Sequence, residues 1–238
     1  VLVLPGIGFG AADDEKSQAK AASAAIISKY LQATQSHDGA LRGVSMQVDI
    51  EASVPKLKER GKLRALRNIS KVGRITYHVL GFQGDNTIKT QVIARFLQAE
   101  QQGQGNDTLG ITPANYKFKY KGEWPFDGKG AYLFSLSPRK KRVGLFKGEI
   151  WIDAATGLPV YEKGRFVKNP SVFFKRVVFD RAFAIQNGVA VPRYMTSTID
   201  TRVIGRVELN INYSNLMQNS GADGDQAESA ALPGAAAK

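Results

Sequence analysis

Residues 206–213 read RVELNINY. Val207, Leu209, Ile211 and Tyr213 share one parity, and Arg206, Glu208, Asn210 and Asn212 share the other. Side chains alternate between faces along a strand, so this segment has a dry side and a wet side. An antiparallel sheet packed on one face and solvated on the other uses such a segment directly.

Working back from there, strand-like phrases follow one another: NYKFKYKGEW (115–124), AYLFSLSP (131–138), VGLFKGEIWID (143–153), LPVYEKGRFV (158–167), SVFFKRVVFDRAFAI (171–185) and RYMTSTIDTRVIG (193–205). Short turn signals, including Asp127-Gly128, Ala155-Thr156-Gly157 and Asn187-Gly188, separate them, which makes the strands antiparallel neighbours. Nearer the start, residues 44–54 alternate with Val44, Met46, Val48 and Ile50 against Gln47, Asp49 and Glu51, and residues 73–82 read as a further strand. Two helices are predicted. In residues 16–37, Ile27, Tyr30, Leu31 and Thr34 share a helical face that Asp38-Gly39 ends. In residues 88–102, Ile88, Val92, Phe96, Ile93 and Leu97 form an apolar face, with Asp85 or Asn86 as the cap. Helices ahead of a long run of strands imply an α+β layer, with the dry side of a curved sheet laid over the helices.

The chain has 238 residues, 43% of them hydrophobic, enough for one sizeable core. It has no cysteine and two histidines. Disulfides, thiol chemistry and thiolate metal sites are therefore excluded, and zinc is poorly supplied. The formal charge of +12 favours anionic partners without choosing among them.

The opening VLVLPGIGFGAADDEK runs from apolar through small to acidic residues and reads as the tail of a secretory signal, with a buried N-terminal strand as the alternative. Its apolar part is far short of the roughly 20 residues that span a bilayer. The expected organisation is a signal remnant at 1–12, one β-rich domain at 13–218 and a disordered tail at 219–238. Export would place the chain in a periplasm, where the basic run 138–142 is a turn and not a nuclear address.

No catalytic constellation is visible. His37 and His78 lack a nucleophile motif, GIGFG (6–10) is not a dinucleotide fingerprint, and the carboxylates are scattered. A non-enzymatic protein without metal or cofactor is expected. The aromatic and basic mixture Tyr116-Lys117-Phe118-Lys119-Tyr120-Lys121 resembles a single-stranded nucleic-acid platform. On a strand, however, its rings and lysines project to opposite faces, so nucleic acid is not an expected partner. Trp151 falls on the more polar parity of its strand. Two readings stand for it: an exposed interaction site, or a ring covered by a loop.

Residues 56–74 hold eight basic residues against Glu59. They read either as a solvated face or as a docking patch for an anionic membrane surface or an acidic protein. In the second reading Lys62, Arg64 and Arg67 act together with Arg139, Lys140, Lys141 and Arg142.

The phrases YLFSLSPRKKRVGLFKGEIWIDAATGLPVYEKGRF (132–166) and VFDRAFAIQNGVAVPRYMTSTID (178–200), followed by VELNINYSNL, resemble the LolA-type outer-membrane lipoprotein-sorting family over about residues 24–216. The resemblance implies a half-open, strongly curved antiparallel sheet with helices on its concave side. It also implies periplasmic residence and an apolar cavity that takes the acyl chains of a lipoprotein or another lipid. Relatives with this domain act instead as sensors, such as the sigma-factor regulatory protein RseB. The basic stretch 56–74, the segment 115–124 and the tail depart from the carriers. Phe134, Phe146, Ile150, Phe179, Ile211 and Tyr213 are the expected cavity residues, each on the more apolar parity of its strand. The first functional expectation is thus a carrier of a lipophilic ligand, and the alternative is a sensory or structural module docking through the basic patches.

Overall fold

A computed structural model describes residues 11–102, 109–169 and 172–219; the expected signal remnant up to Gly10 and the tail from 220 on lie outside the described residues. Helix α1 spans Ala11–Ala40 and is followed by strands β1 Val44–Val54, β2 Glu59–Ile69 and β3 Ile75–Gly84. A π-helical turn, Ile88–Ile93, runs into helix α2, Ala94–Gln102. Seven strands complete the chain: β4 Tyr116–Glu123, β5 Ala131–Pro138, β6 Phe146–Asp153, β7 Pro159–Phe166, β8 Phe174–Gln186, β9 Val189–Thr201 and β10 Arg206–Gln218.

The strands form one open, antiparallel ten-stranded sheet in the order β3-β2-β1-β10-β9-β8-β7-β6-β5-β4. It is a strongly curved half-barrel with the helices on its concave side. Two hairpin runs, β1–β3 and β4–β10, are joined where β10 pairs with β1. The edges β3 and β4 are consecutive in sequence but lie at opposite borders. The segment between them must therefore cross the sheet, and it carries α2 with it.

Besides residues 59–69, which lie in the stretch read as a solvated face or docking patch and form strand β2, two features differ from the sequence reading. Helix α1 begins at Ala11 and runs through Gly39, because its alanine-rich composition favours helix on both sides of the expected limits. Its end is set by Gly43, whose φ of 69° only glycine adopts readily. The second difference is that the core has two parts. One gathers Val48, Ile50, Leu63, Leu209 and Ile211 against Ile88, Val92, Ile93 and Leu97. The other gathers Tyr116, Phe134, Leu136, Phe146, Ile150, Ile152 and Phe179 against Tyr30. Each helix roofs one part.

Other local expectations meet their structural reasons. Asp85 Oδ1 accepts from the Thr87 and Ile88 amides at 2.6 and 3.3 Å, so Asp85 is the cap that opens the second helical segment. Asn187-Gly188 turns β8 into β9 with φ of 51° and 76°, the geometry of a type I′ hairpin. Leu145, which precedes β6, is buried in a loop that packs into the aromatic cluster.

Candidate functional site

The registers align one row of side chains on the concave face. From β3 to β4 it reads Phe82, Leu63, Ile50, Ile211, Met195, Arg181, Glu162, Ile150, Phe134 and Tyr120. Every member is apolar or aromatic except Arg181 and Glu162. That charged pair stands where the two halves of the core meet. Arg181 Nε donates to Glu162 Oε2 at 2.6 Å, and its Nη2 contacts the same oxygen. The Glu162 side chain is 4% exposed and that of Arg181 41% exposed, so the carboxylate is the buried partner. The guanidinium also covers the Phe179 and Phe183 rings. Burial alone would depress the Arg181 pKa, but the Glu162 carboxylate outweighs it and raises it.

A second polar group lies beside the first. Arg67 on β2 is in phase with Leu63, Ala65 and Ile69, and so points inward. Its Nη2 donates to Glu100 Oε1 at 2.9 Å and its Nε to the Tyr77 hydroxyl at 3.2 Å, while that hydroxyl donates to Glu100 Oε2. Burial pushes the Tyr77 and Tyr213 phenols well above the usual range, and the Glu100 charge pushes them further. Both phenols stay neutral donors at any physiological pH.

Next to Tyr213 the sheet splits. The last β9–β10 pair is Tyr194 with Asn212; beyond it β10 follows β1 alone, and β9 follows β8 alone. The resulting cleft, about 80 Å³, is lined by Met46, Ala184, Val191, Pro192, Tyr213 and Leu216, among others. It has room for a few waters or methylene groups and not for an acyl chain.

The expected cavity residues divide. Phe134, Phe146, Ile150 and Phe179 converge in the aromatic half, where Phe146 and Phe179 meet edge to face at 5.0 Å. Ile211 and the half-buried Tyr213 belong to the other half. Room for the rings comes from Gly148 and Gly164, which face each other across β6 and β7. A Cβ on Gly164 would lie 2.4 Å from Phe146 Cδ2, and one on Gly148 2.0 Å from the Lys163 carbonyl oxygen. α1 closes this basin with Ile26, Ile27, Tyr30 and Leu31, and Lys29 Nζ ties it to the carbonyls of Ala154 and Ala155 at 2.9 and 2.8 Å.

The expected docking patch divides as well. Arg67 is removed from it, being 8% exposed and paired on the concave face. Lys62 pairs with Glu51 at 2.6 Å and Arg64 with Asp49 at 2.9 Å, so that part of the outer surface is close to neutral. Arg139, Lys140, Lys141 and Arg142 are exposed on the β5–β6 loop, where Arg139 Nε donates to the Pro113 carbonyl. Trp151 is a covered ring. Tyr161 meets it edge to face at 5.1 Å, Phe126 from the β4–β5 turn stacks on Tyr161, and Lys163 Nζ sits 5.1 Å over the indole. The rings of β4 face inward and its lysines face solvent.

Among the described residues no cluster of His, Asp and Glu has the makings of a metal site, and no helix is long and apolar enough to cross a membrane. No protein-family model and no curated protein matches the chain. Solved structures similar to it include a DUF1329 family protein from Desulfovibrio piger, at 13% identity and TM-score 0.43 over 82% of this chain and 93% of that one. A LolA superfamily protein from Nitrosomonas europaea has 12% identity and TM-score 0.36, over 84% and 94%. A proposed outer-membrane lipoprotein-sorting domain from Vibrio parahaemolyticus has 12% identity and TM-score 0.39, over 82% and 94%. The likeness is one of fold.

The two buried ion pairs were missed by parity reading, although parity marks them. Glu162 is in phase with Val160 and Phe166, Arg181 with Val177 and Phe179, and Arg67 with Leu63 and Ile69. A charge on the dry parity requires a buried partner.

Proposed function

We propose that this chain is an exported, non-enzymatic binding protein for a lipophilic ligand, held on the concave face of the sheet. The aromatic basin carries this reading. Phe134, Phe146, Ile150 and Phe179 form a continuous apolar surface, roofed by a helix that contributes four side chains to it. An acyl chain that displaced those contacts would gain about 0.8 kcal/mol per buried CH₂. The Arg181–Glu162 pair borders the basin beside Phe179 and Ile150, so a polar headgroup would find a donor and an acceptor beside its chain. Export is supported by the apolar-to-acidic opening segment.

Delipidated protein titrated with a fluorescent fatty acid, or with a triacylated peptide, should show saturable uptake nearly independent of salt. Replacing Phe134 or Phe179 by Leu should weaken it. Uptake that is absent, or unchanged in both variants, would remove the basin from consideration.

A further inference from the structure

The antiparallel topology places four loops at one end of the sheet: β1–β2 (55–58), β5–β6 (139–145), β7–β8 (167–173) and β9–β10 (202–205). Each carries an aliphatic side chain turned to water. Val172 is 80% exposed and Val203 76%, with Leu57 at 45% and Val143 at 43%. Each is also flanked by cations: Lys56 and Lys58 beside Leu57, Arg142 before Val143, Lys175 and Arg176 shortly after Val172, and Arg202 before Val203. Among the described residues, none of these four loops contains an aspartate or glutamate.

The loops touch one another. The Arg202 amide donates to the Phe173 carbonyl at 2.9 Å and its Nε to the Val172 carbonyl at 2.8 Å, fixing the β9–β10 loop against the β7–β8 loop. The Val167 amide donates to the Leu145 carbonyl at 3.0 Å, joining the β5–β6 loop to the same group. The Pro55–Leu57 turn lies against β10, and a Cβ on Gly205 would stand 3.9 Å from Lys56 Cδ, so the β1–β2 loop completes the rim. The positive charge continues onto the outer face, where Lys147 and Arg165 stand directly opposite each other on β6 and β7. Like charges in that position repel unless an anion lies between them.

We propose that this rim docks on an anionic phospholipid bilayer. Isolated exposed apolar residues are ordinary on a protein surface. Four on consecutive loop tips at one end, each with cations nearby and with no acid inside the loop, Glu59 being half-buried at the start of β2, match the headgroup layer of such a membrane. The cations meet the lipid phosphates while the aliphatic tips enter the acyl boundary. An acidic protein would satisfy the charges but not all the exposed tips, and it would bind without any contribution from them. The proposal does not depend on the ligand reading above.

The test is sedimentation of the full chain with vesicles of phosphatidylcholine, with and without a third of phosphatidylglycerol. Binding is expected only with phosphatidylglycerol, and more weakly as salt rises. Val172→Ser with Val203→Ser should weaken it by roughly tenfold for each valine that inserts, without altering the melting temperature, since both side chains are exposed. Lys140→Glu with Lys141→Glu should weaken it most at low salt. In a Val203→Trp variant the added emission should move to the blue on phosphatidylglycerol vesicles and stay put on phosphatidylcholine. Absence of binding to the anionic vesicles would overturn the proposal. So would a double serine variant that binds as tightly as the parent, which would mark the rim as an electrostatic surface for an acidic protein.

Discussion

The Arg181–Glu162 pair makes an asymmetric prediction. Both charges belong to one contact, yet the glutamate side chain is 4% exposed and the arginine 41% exposed. In Glu162→Ala the guanidinium left behind is close to water and still rests on the Phe179 and Phe183 rings, so the loss should be about 1 kcal/mol, that of a partly exposed pair. In Arg181→Ala the carboxylate left behind is enclosed by apolar and aromatic side chains. Removing one partner of a buried pair costs about 3 kcal/mol or more. Urea unfolding of the parent and the two variants is the assay. With a slope of about 3 kcal/mol per molar for a chain of this size, the larger effect is a midpoint shift of about 1 M. Equal losses in the two variants would refute the view of Glu162 as the buried member.

Three further outcomes are expected. Gly148→Ala places a methyl group against the Lys163 backbone, which yields less than a side chain would; the overpacking should cost about 3 kcal/mol in a thermal or urea melt. Tyr161, whose phenol is pushed up to about 12 by burial and by the Asp180 carboxylate, should titrate near that value in the ultraviolet. Because its folded pKa lies above the ordinary tyrosine value, its contribution to stability is full below about pH 10 and fades as pH rises toward 12; a midpoint near 10 would count against the buried contact with Asp180. Lys29→Met cuts the tie between α1 and the β6–β7 turn, and should speed uptake of a fluorescent fatty acid in stopped flow if α1 is the cover of the basin.

Most of the sheet could be read from parity, because side-chain alternation is a local property. Val207, Leu209 and Ile211 announce their face within one strand, and Asn187-Gly188 announces its hairpin within two residues. The pairing of β10 with β1 is different. It joins segments about 160 positions apart in the chain, and no local signal encodes it. The division of the core depends on that same pairing, since only the full row of strands shows Arg181 and Glu162 standing between two apolar stretches. Arg67 shows the opposite failure. Its charge drew it into a surface patch, whereas its phase with Leu63 and Ile69 gave the correct inward direction. Phase outranks residue type when the sheet has one dry side. The strand phrases 171–185 and 193–205 take in Val172 and Val203, but β8 begins at Phe174 and β9 ends at Thr201, and the two valines acquire meaning only when topology gathers their loops at one end.

The two proposed surfaces occupy different ends, and that separation is testable. Lys29 and the cleft beside Tyr213 lie at the end formed by the β6–β7 and β8–β9 turns, while the cationic rim lies at the other end, on the β5–β6, β7–β8 and β9–β10 loops. Substitutions at sites that share no contacts combine additively, usually within about 0.5 kcal/mol. Lys29→Met should therefore change fatty-acid uptake and leave vesicle binding untouched, and Val172→Ser with Val203→Ser should do the reverse. A triple variant should show both losses at their single-site sizes. If instead the rim variant also slowed uptake of a fatty acid offered free in solution, the two ends would have to communicate.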